Sequence, residues 1–227
     1  MGARRRKPKQ GTFDFPSWGG PRKKSGRKPK GVKAGVSHKT RSELKARFPV
    51  HVTTTICDGL AGLRNPREYF TVLKAMRQGC NKAGFRLVQY SVQSTHVHMI
   101  VEANDRTSLS RGLQGLFVRI ARALNRLWER KGQVFADRYH DRILRTPKEV
   151  KNCLRYLFFN WKKHTEDAGI YGNIDLYTSA PWFDGWNRPF KPPRGVPREG
   201  PMAAARTWLL RIGWRRHGLL PAGNAPT

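Results

Sequence analysis

Residues 96–102 read His96-Val97-His98-Met99-Ile100-Val101-Glu102, and residues 85–93 before them read FRLVQYSVQ. Both stretches are short and rich in apolar and β-branched residues, with only Ser94 and Thr95 between them. They predict two neighbouring strands joined by a tight polar link. In the second strand, alternation puts His96 and His98 on one face with their Cα atoms about 6.5–7 Å apart. Val97, Met99 and Val101 turn to the opposite face, into a core.

Working outward, Val50, Val52, Thr54 and Ile56 alternate with His51, Thr53 and Thr55, which predicts an earlier strand. Asn65-Pro66-Arg67-Glu68 predicts a helix start, with Phe70, Leu73, Met76 and Cys80 on its apolar side and a stop at Gly84. A second helix is expected from near Ser108, carrying a stripe of Leu109, Leu113, Leu116, Phe117, Ile120, Leu124 and Leu127. A loop and a short fourth strand at 142–144 follow Gly132. Thr146-Pro147-Lys148-Glu149 is a capping box with proline at the first helical position, and it opens a third helix. The order β-α-β-β-α-β-α predicts an α+β protein, a ferredoxin-like split βαβ antiparallel sheet with one added C-terminal helix.

On a helical wheel, Val150, Cys153, Leu154, Leu157, Phe158 and Trp161 share the core-facing side of the third helix. Tyr156 and Asn160 fall at the edge of that side, one turn apart and therefore neighbours. A phenol and an amide there can meet the two histidines if this helix packs across the sheet. Two imidazoles on one strand face can hold one divalent metal. Such a pair also occurs in ordinary cores, and a boundary tyrosine beside a solvent-facing asparagine is the bland alternative.

The chain has 227 residues with 45 Lys+Arg against 15 Asp+Glu, a formal net charge of +30. This surplus points to a polyanionic partner, of which nucleic acid is the commonest. Apolar residues are 38% of the chain, below the roughly 45–50% of an average domain, so part of it is not expected to pack. Residues 1–40 hold 13 Lys/Arg and one acid and are expected to form a disordered basic arm. Within it, Ser25-Gly26-Arg27-Lys28-Pro29-Lys30 resembles a minor-groove arm of the AT-hook kind, with Arg27 and Lys28 as candidate DNA contacts, or else reads as a merely solvated basic tail. Phe13, Phe15 and Trp18 interrupt the arm. Residues 166–227 read as a Pro/Gly/Trp-rich extension with a short basic helix in 201–217. No stretch approaches the ~20 apolar residues of a membrane span, and no apolar run follows the basic N-terminus, so neither membrane nor secretion is expected. Cys57, Cys80 and Cys153 are scattered and odd in number, which suits a reduced cytoplasm and no zinc ribbon.

HVHMIVE followed some sixty residues later by RYLFFN resembles the single-tyrosine HUH transposases, and most nearly their REP-associated tyrosine transposase branch. LSRGLQGLFVRIARALNR and GQVFADRYHDRILRT in between share the resemblance, as does RTWLLRIGWRRHGL near the C-terminus. It covers roughly residues 45–165, so 41–165 is expected to be the HUH transposase-like catalytic domain. The resemblance implies that His96 and His98 bind the metal, that Asn160 completes the site where some relatives carry Gln, and that Tyr156 is the nucleophile. The usual Asn-Pro after the tyrosine is Asn160-Trp161 here. The implied activity is metal-dependent cleavage and rejoining of single-stranded, hairpin-forming DNA through a 5′-phosphotyrosine. The cofactor would be Mg²⁺ or Mn²⁺, since imidazole plus carbonyl oxygen is a moderately hard set. The expected protein is cytoplasmic and nucleoid-associated, a monomer or homodimer on single-stranded or hairpin DNA.

Other residues have competing readings. Tyr139 is a rival nucleophile in Asp137-Arg138-Tyr139-His140, or else a packing residue. His140, Glu102 and Asp105 are further metal-ligand candidates. Arg119, Arg122 and Arg126 line the second helix away from its stripe, and Arg138 and Arg142 flank the fourth strand. All five are candidate phosphate contacts or plain solvated charge. Trp182, Phe183, Trp186, Trp208 and Trp214 either stack on unpaired bases or tether the extension. Two other functions fit the sequence: a non-catalytic DNA-binding protein that keeps the fold, and an RNA-hairpin-binding module.

Overall fold

The computed structural model describes residues 41–160, 170–171 and 174–222. Their frame is a five-stranded antiparallel sheet. In chain order the strands are β1 (Val50–Thr55), β2 (Asn81–Lys82), β3 (Phe85–Val92), β4 (His96–Ala103) and β5 (His140–Ile143), and in space they run β2-β3-β4-β1-β5. Helix α1 (Pro66–Gly79) links β1 to the β2-β3 hairpin, α2 (Arg106–Leu127) links β4 to β5, and α3 (Pro147–Phe159) follows β5. The split βαβ arrangement expected from the sequence is therefore present, with β2 as an added two-residue edge.

Strand parity divides the sheet into two buried faces. Val50, Val52, Val97, Met99 and Val101 pack with the buried stripes of α1 and α2. Ile100 and Val88 pack on the other side with Val150, Leu154, Leu157 and Phe158 of α3. A β-bulge between Leu87 and Gln89 of β3 shifts its apolar phase. Phe85 and Leu87 before it, and Tyr90 and Val92 after it, thus all reach the α1–α2 core.

Several boundaries differ from expectation. Helix α1 ends at Gly79, before Gly84, because Asn81 and Lys82 pair with β3. Asn65 precedes α1 without a side-chain cap bond. Helix α2 starts at Arg106, with the Asp105 carboxylate accepting from the Ser108 amide at 2.7 Å. The fourth strand lies at His140–Ile143 because it pairs with Thr53 to Val50. The capping box of α3 is formed by Thr146 and Glu149 as predicted.

The segment beyond α3 packs mainly into the α3 side of the molecule, while Tyr177, Trp182 and Met202 reach the α1–α2 core. It has a hairpin of β6 (Ile170–Tyr171) and β7 (Ile174–Asp175), a 3-10 turn at Ala180–Trp182, and α4 (Trp208–Arg211) leading into a 3-10 turn at Gly213–His217. The expected helix over 201–217 is thus shorter, because residues before Thr207 dock as extended chain, the Ala203 amide donating to the Leu87 carbonyl at 2.8 Å. Trp186 and Trp214 are buried and Trp208 is half-exposed, so the first two serve packing. Among the described residues no helix is long and apolar enough to cross a membrane. Cys57, Cys80 and Cys153 are free thiols. Arg27 and Lys28, the aromatic residues 13, 15 and 18, and Trp161 lie outside the described residues.

Candidate active site

The antiparallel register of β1 and β4 places Thr53 opposite His98 and Thr55 opposite His96. Paired residues share a face, so His51, Thr53, His96 and His98 all project toward α3. The imidazoles of His96 and His98 lie edge to face with centroids 4.8 Å apart. His51 stacks on His98 at 5.4 Å. Helix α3 crosses this face, and its period carries Tyr156 over the cluster. The Tyr156 hydroxyl is 3.2 Å from His98 Nε2, while Thr53 Oγ1 is 3.0 Å from His98 Nδ1. His98 is buried and thus held at both ring nitrogens, which fixes its orientation.

Burial, reinforced by Cys153, raises the Tyr156 pKa above its ordinary value, so the phenol is protonated at neutral pH. Burial and then the Arg142 guanidinium bring His51 down to about 4, which leaves it neutral. Asn160 follows α3 directly, one turn beyond Tyr156. It is 2% exposed, and neither its Oδ1 nor its Nδ2 has a hydrogen-bond partner among the described residues. A buried amide without partners costs on the order of 1–3 kcal/mol, which makes this side chain a candidate ligand contact. Among the described residues no group of three or more His, Cys, Asp or Glu is placed to hold a metal ion. The side chains at hand are the imidazoles of His51, His96 and His98 and, one turn beyond Tyr156, the Asn160 amide.

The remaining candidates separate cleanly. Tyr139 packs on the opposite side of the sheet, against the α1–α2 core and near Phe117, under the Arg41 guanidinium at 3.7 Å. Glu102 is wholly buried and occupied: Arg86 Nε donates to it at 3.1 Å and the Thr207 amide at 2.8 Å. Asp105 is the α2 cap. His140 and Arg138 are exposed. Arg142 reaches Glu149 Oε1 at 3.0 Å, close to Tyr156. Arg119, Arg122 and Arg126 lie with Lys74 along a groove between α1 and α2, on the far side of the sheet. His51 and Thr53 were not legible as site residues, because only the β1–β4 register brings them to His98.

Two solved structures resemble this chain at low identity. One is a REP-associated tyrosine transposase bound to a REP hairpin, 16% identical with a TM-score of 0.46, covering 57% of this chain and 74% of that one. The other is a Deinococcus radiodurans protein assigned as a transposase, 12% identical with a TM-score of 0.34, covering 59% of this chain and 98% of that one. No curated protein matches the sequence. Residues 63–157, the stretch that holds His96, His98 and Tyr156, match the model of the IS200-like transposases. Over this segment the chain is similar to the IS200-like transposases.

Proposed function

We propose that this protein cleaves and rejoins single-stranded, hairpin-forming DNA through a covalent 5′-phosphotyrosine at Tyr156, with a divalent metal held by His96, His98 and Asn160. The observation that carries the reading is the Tyr156 hydroxyl at 3.2 Å from His98 Nε2, beside a second imidazole on the same strand face. The family match supports DNA processing, and the net charge of +30 suits a nucleic-acid partner. The hairpin and the phosphotyrosine follow from the resemblance to REP-associated tyrosine transposases.

The donor set fits Mg²⁺ or Mn²⁺. Two imidazoles and the partnerless Asn160 carbonyl give a mixed nitrogen–oxygen site, whereas zinc more often takes a further Cys or His. When bound, such an ion would polarise the scissile phosphate and offset its charge. The chain's own residues do the rest. Helix α3 holds the phenol in place, which lowers the entropic part of the barrier. Tyr156 Oη forms a bond to phosphorus as the bond from phosphorus to the 3′-oxygen breaks. The phenol gives its proton to water, and the departing oxygen takes one from water to end as a 3′-hydroxyl, so no net proton is gained or lost. The ester keeps the bond energy, so a later 3′-hydroxyl can displace Tyr156 and reseal a strand. Thr53 orients His98 throughout.

The test is incubation of the protein with labelled hairpin-forming single strands taken from beside its own gene, with Mn²⁺, followed by denaturing electrophoresis. Wild type and Tyr139→Phe are expected to give a covalent adduct, and Tyr156→Phe to bind DNA without one. Tight binding with no adduct in any variant would make this a binding protein that keeps the fold. Preference for RNA hairpins in competition would favour an RNA-binding module.

A further inference from the structure

A slot opens beside Tyr156 between α3 and the edge strand β5. Its lining is His51, Arg142, Leu144, Glu149, Asn152 and Cys153, with the Tyr156 ring at one side, and it encloses about 300 Å³. That lies at the small end of ligand pockets, roughly 300–1,000 Å³. Glu149, Asn152, Cys153 and Tyr156 are spaced i, i+3, i+4 and i+7, so they form one stripe along α3. The slot therefore runs along the helix directly to the hydroxyl that the proposed reaction uses.

Its chemistry is that of a flat heterocycle rather than an anion. Leu144, Cys153 and the His51 imidazole provide apolar and aromatic walls. The rim carries donors and acceptors: the exposed Asn152 amide, and the Arg142 guanidinium bonded to Glu149 at 3.0 Å. Glu149 also accepts from the amides of Arg145 and Thr146, at 2.8 and 3.1 Å. The Arg142 charge is offset by the Glu149 carboxylate, so the slot carries little net charge to hold a phosphate. The same pair offers hydrogen bonds to the edge of a neutral base. An amide such as Asn152 can pair with a base edge through two hydrogen bonds.

From this geometry we infer that the slot receives one unstacked nucleobase of the strand being cut, adjacent to the scissile phosphate, and that Asn152 and Arg142 read its edge. This rests on the cleavage reading above. It adds that sequence choice at the cleavage site is made partly by protein side chains on α3 and β5. Seating the base in the slot would also hold the neighbouring phosphate near Tyr156.

The experiment uses the full chain and hairpin oligonucleotides with a randomised single-stranded flank. Adduct-forming sequences are selected, then remade with a single abasic site at each flank position. One position next to the cut should lose roughly tenfold or more in adduct yield, the scale of a base-edge contact. Asn152→Ala should remove discrimination among the four bases at that position only. Asn152→Trp, at an exposed site compatible with folding, should fill the slot and abolish the preference. If wild type forms adducts but every abasic position costs less than about twofold, or Asn152→Ala keeps the wild-type base profile, the slot inference is wrong while the cleavage reading stands. If no adduct forms at all, the cleavage reading fails. The slot is then judged by 2-aminopurine scanned through the flank: a fluorescence change at one position that Asn152→Trp removes upholds base capture, and no change at any position refutes it.

Discussion

Thr53 sets the direction in which His98 works. Its Oγ1 sits 3.0 Å from Nδ1, and the opposite nitrogen, Nε2, faces Tyr156. With Nδ1–H donating to Thr53, Nε2 presents its lone pair on the side of Tyr156. Outer residues of this kind typically account for 10- to 100-fold in metal affinity or activity. Thr53→Val keeps the shape and removes the acceptor. It should lower the rate of adduct formation about tenfold and raise the Mn²⁺ concentration needed for half-maximal yield, while Thr53→Ser keeps both near wild type. A Thr53→Val protein with an unchanged Mn²⁺ titration would make Thr53 a mere spacer. The meeting of His96, His98 and Tyr156 was legible in the sequence because a period of two and a period of 3.6 each fix a direction. Thr53 and His51 were not, since their meeting with His98 depends on pairing across 45 residues. Tyr139 illustrates the converse. Its local sequence, beside a strand rather than on the third helix, makes it the weaker rival of Tyr156, and its place on the other sheet face separates the two.

At the scale of elements, β4 serves two ends of the molecule. His96 and His98 face α3 near its start, and Glu102 on the same side grips the C-terminal segment near its end. The Glu102 carboxylate accepts from Arg86 and from the amides of Arg206 and Thr207. Thr207 then caps α4, whose Leu209 and Leu210 join the α3 core. Removing one partner of a buried ion pair strands the other, at about 3–5 kcal/mol. Glu102→Ala should therefore destabilise by about 3 kcal/mol in urea unfolding and expose residues 199–207 to limited proteolysis. Unchanged cleavage kinetics would show that Leu209, Leu210 and Trp214 hold the segment unaided. The sequence suggested a metal-ligand role for Glu102 and a helix through 201–217. Both expectations yielded to the same tertiary contacts: backbone amides of the extension that pair with β3 and Glu102 cannot also make helix bonds. The β3 bulge was legible only in retrospect, as the step from Phe85 and Leu87 to Tyr90 and Val92. The main order of strands and helices was readable because each long element has a clean apolar period and α3 has a complete capping box.

For the whole molecule, the sheet separates two surfaces of different chemistry. The α3 side holds Tyr156, the histidines and the slot. The α1–α2 side carries Lys74, Arg119, Arg122 and Arg126 along one groove, about a helix layer and a sheet away from the proposed chemistry. Arg119 Nη1 donates back to the Gly115 carbonyl at 2.9 Å, which holds its side chain along α2. Charges on this surface cannot reach the scissile phosphate, but they can hold other phosphates of a folded strand or hairpin stem. Such contacts act through counterion release, so they are uniform across sequences and sensitive to salt. Replacing Arg119, Arg122 and Arg126 together with Gln should weaken hairpin binding and flatten the slope of log K against log salt by about 2 to 3 units, the contribution of three phosphate contacts. Anisotropy titrations of the same hairpin with two unrelated stem sequences, from about 50 to about 200 mM salt, measure this. Equal losses on both stems fit phosphate contact, and a loss confined to one stem would mean that α2 reads bases instead. An unchanged slope would assign the three arginines to solubility alone and leave the steering of DNA to the basic residues on the Tyr156 side.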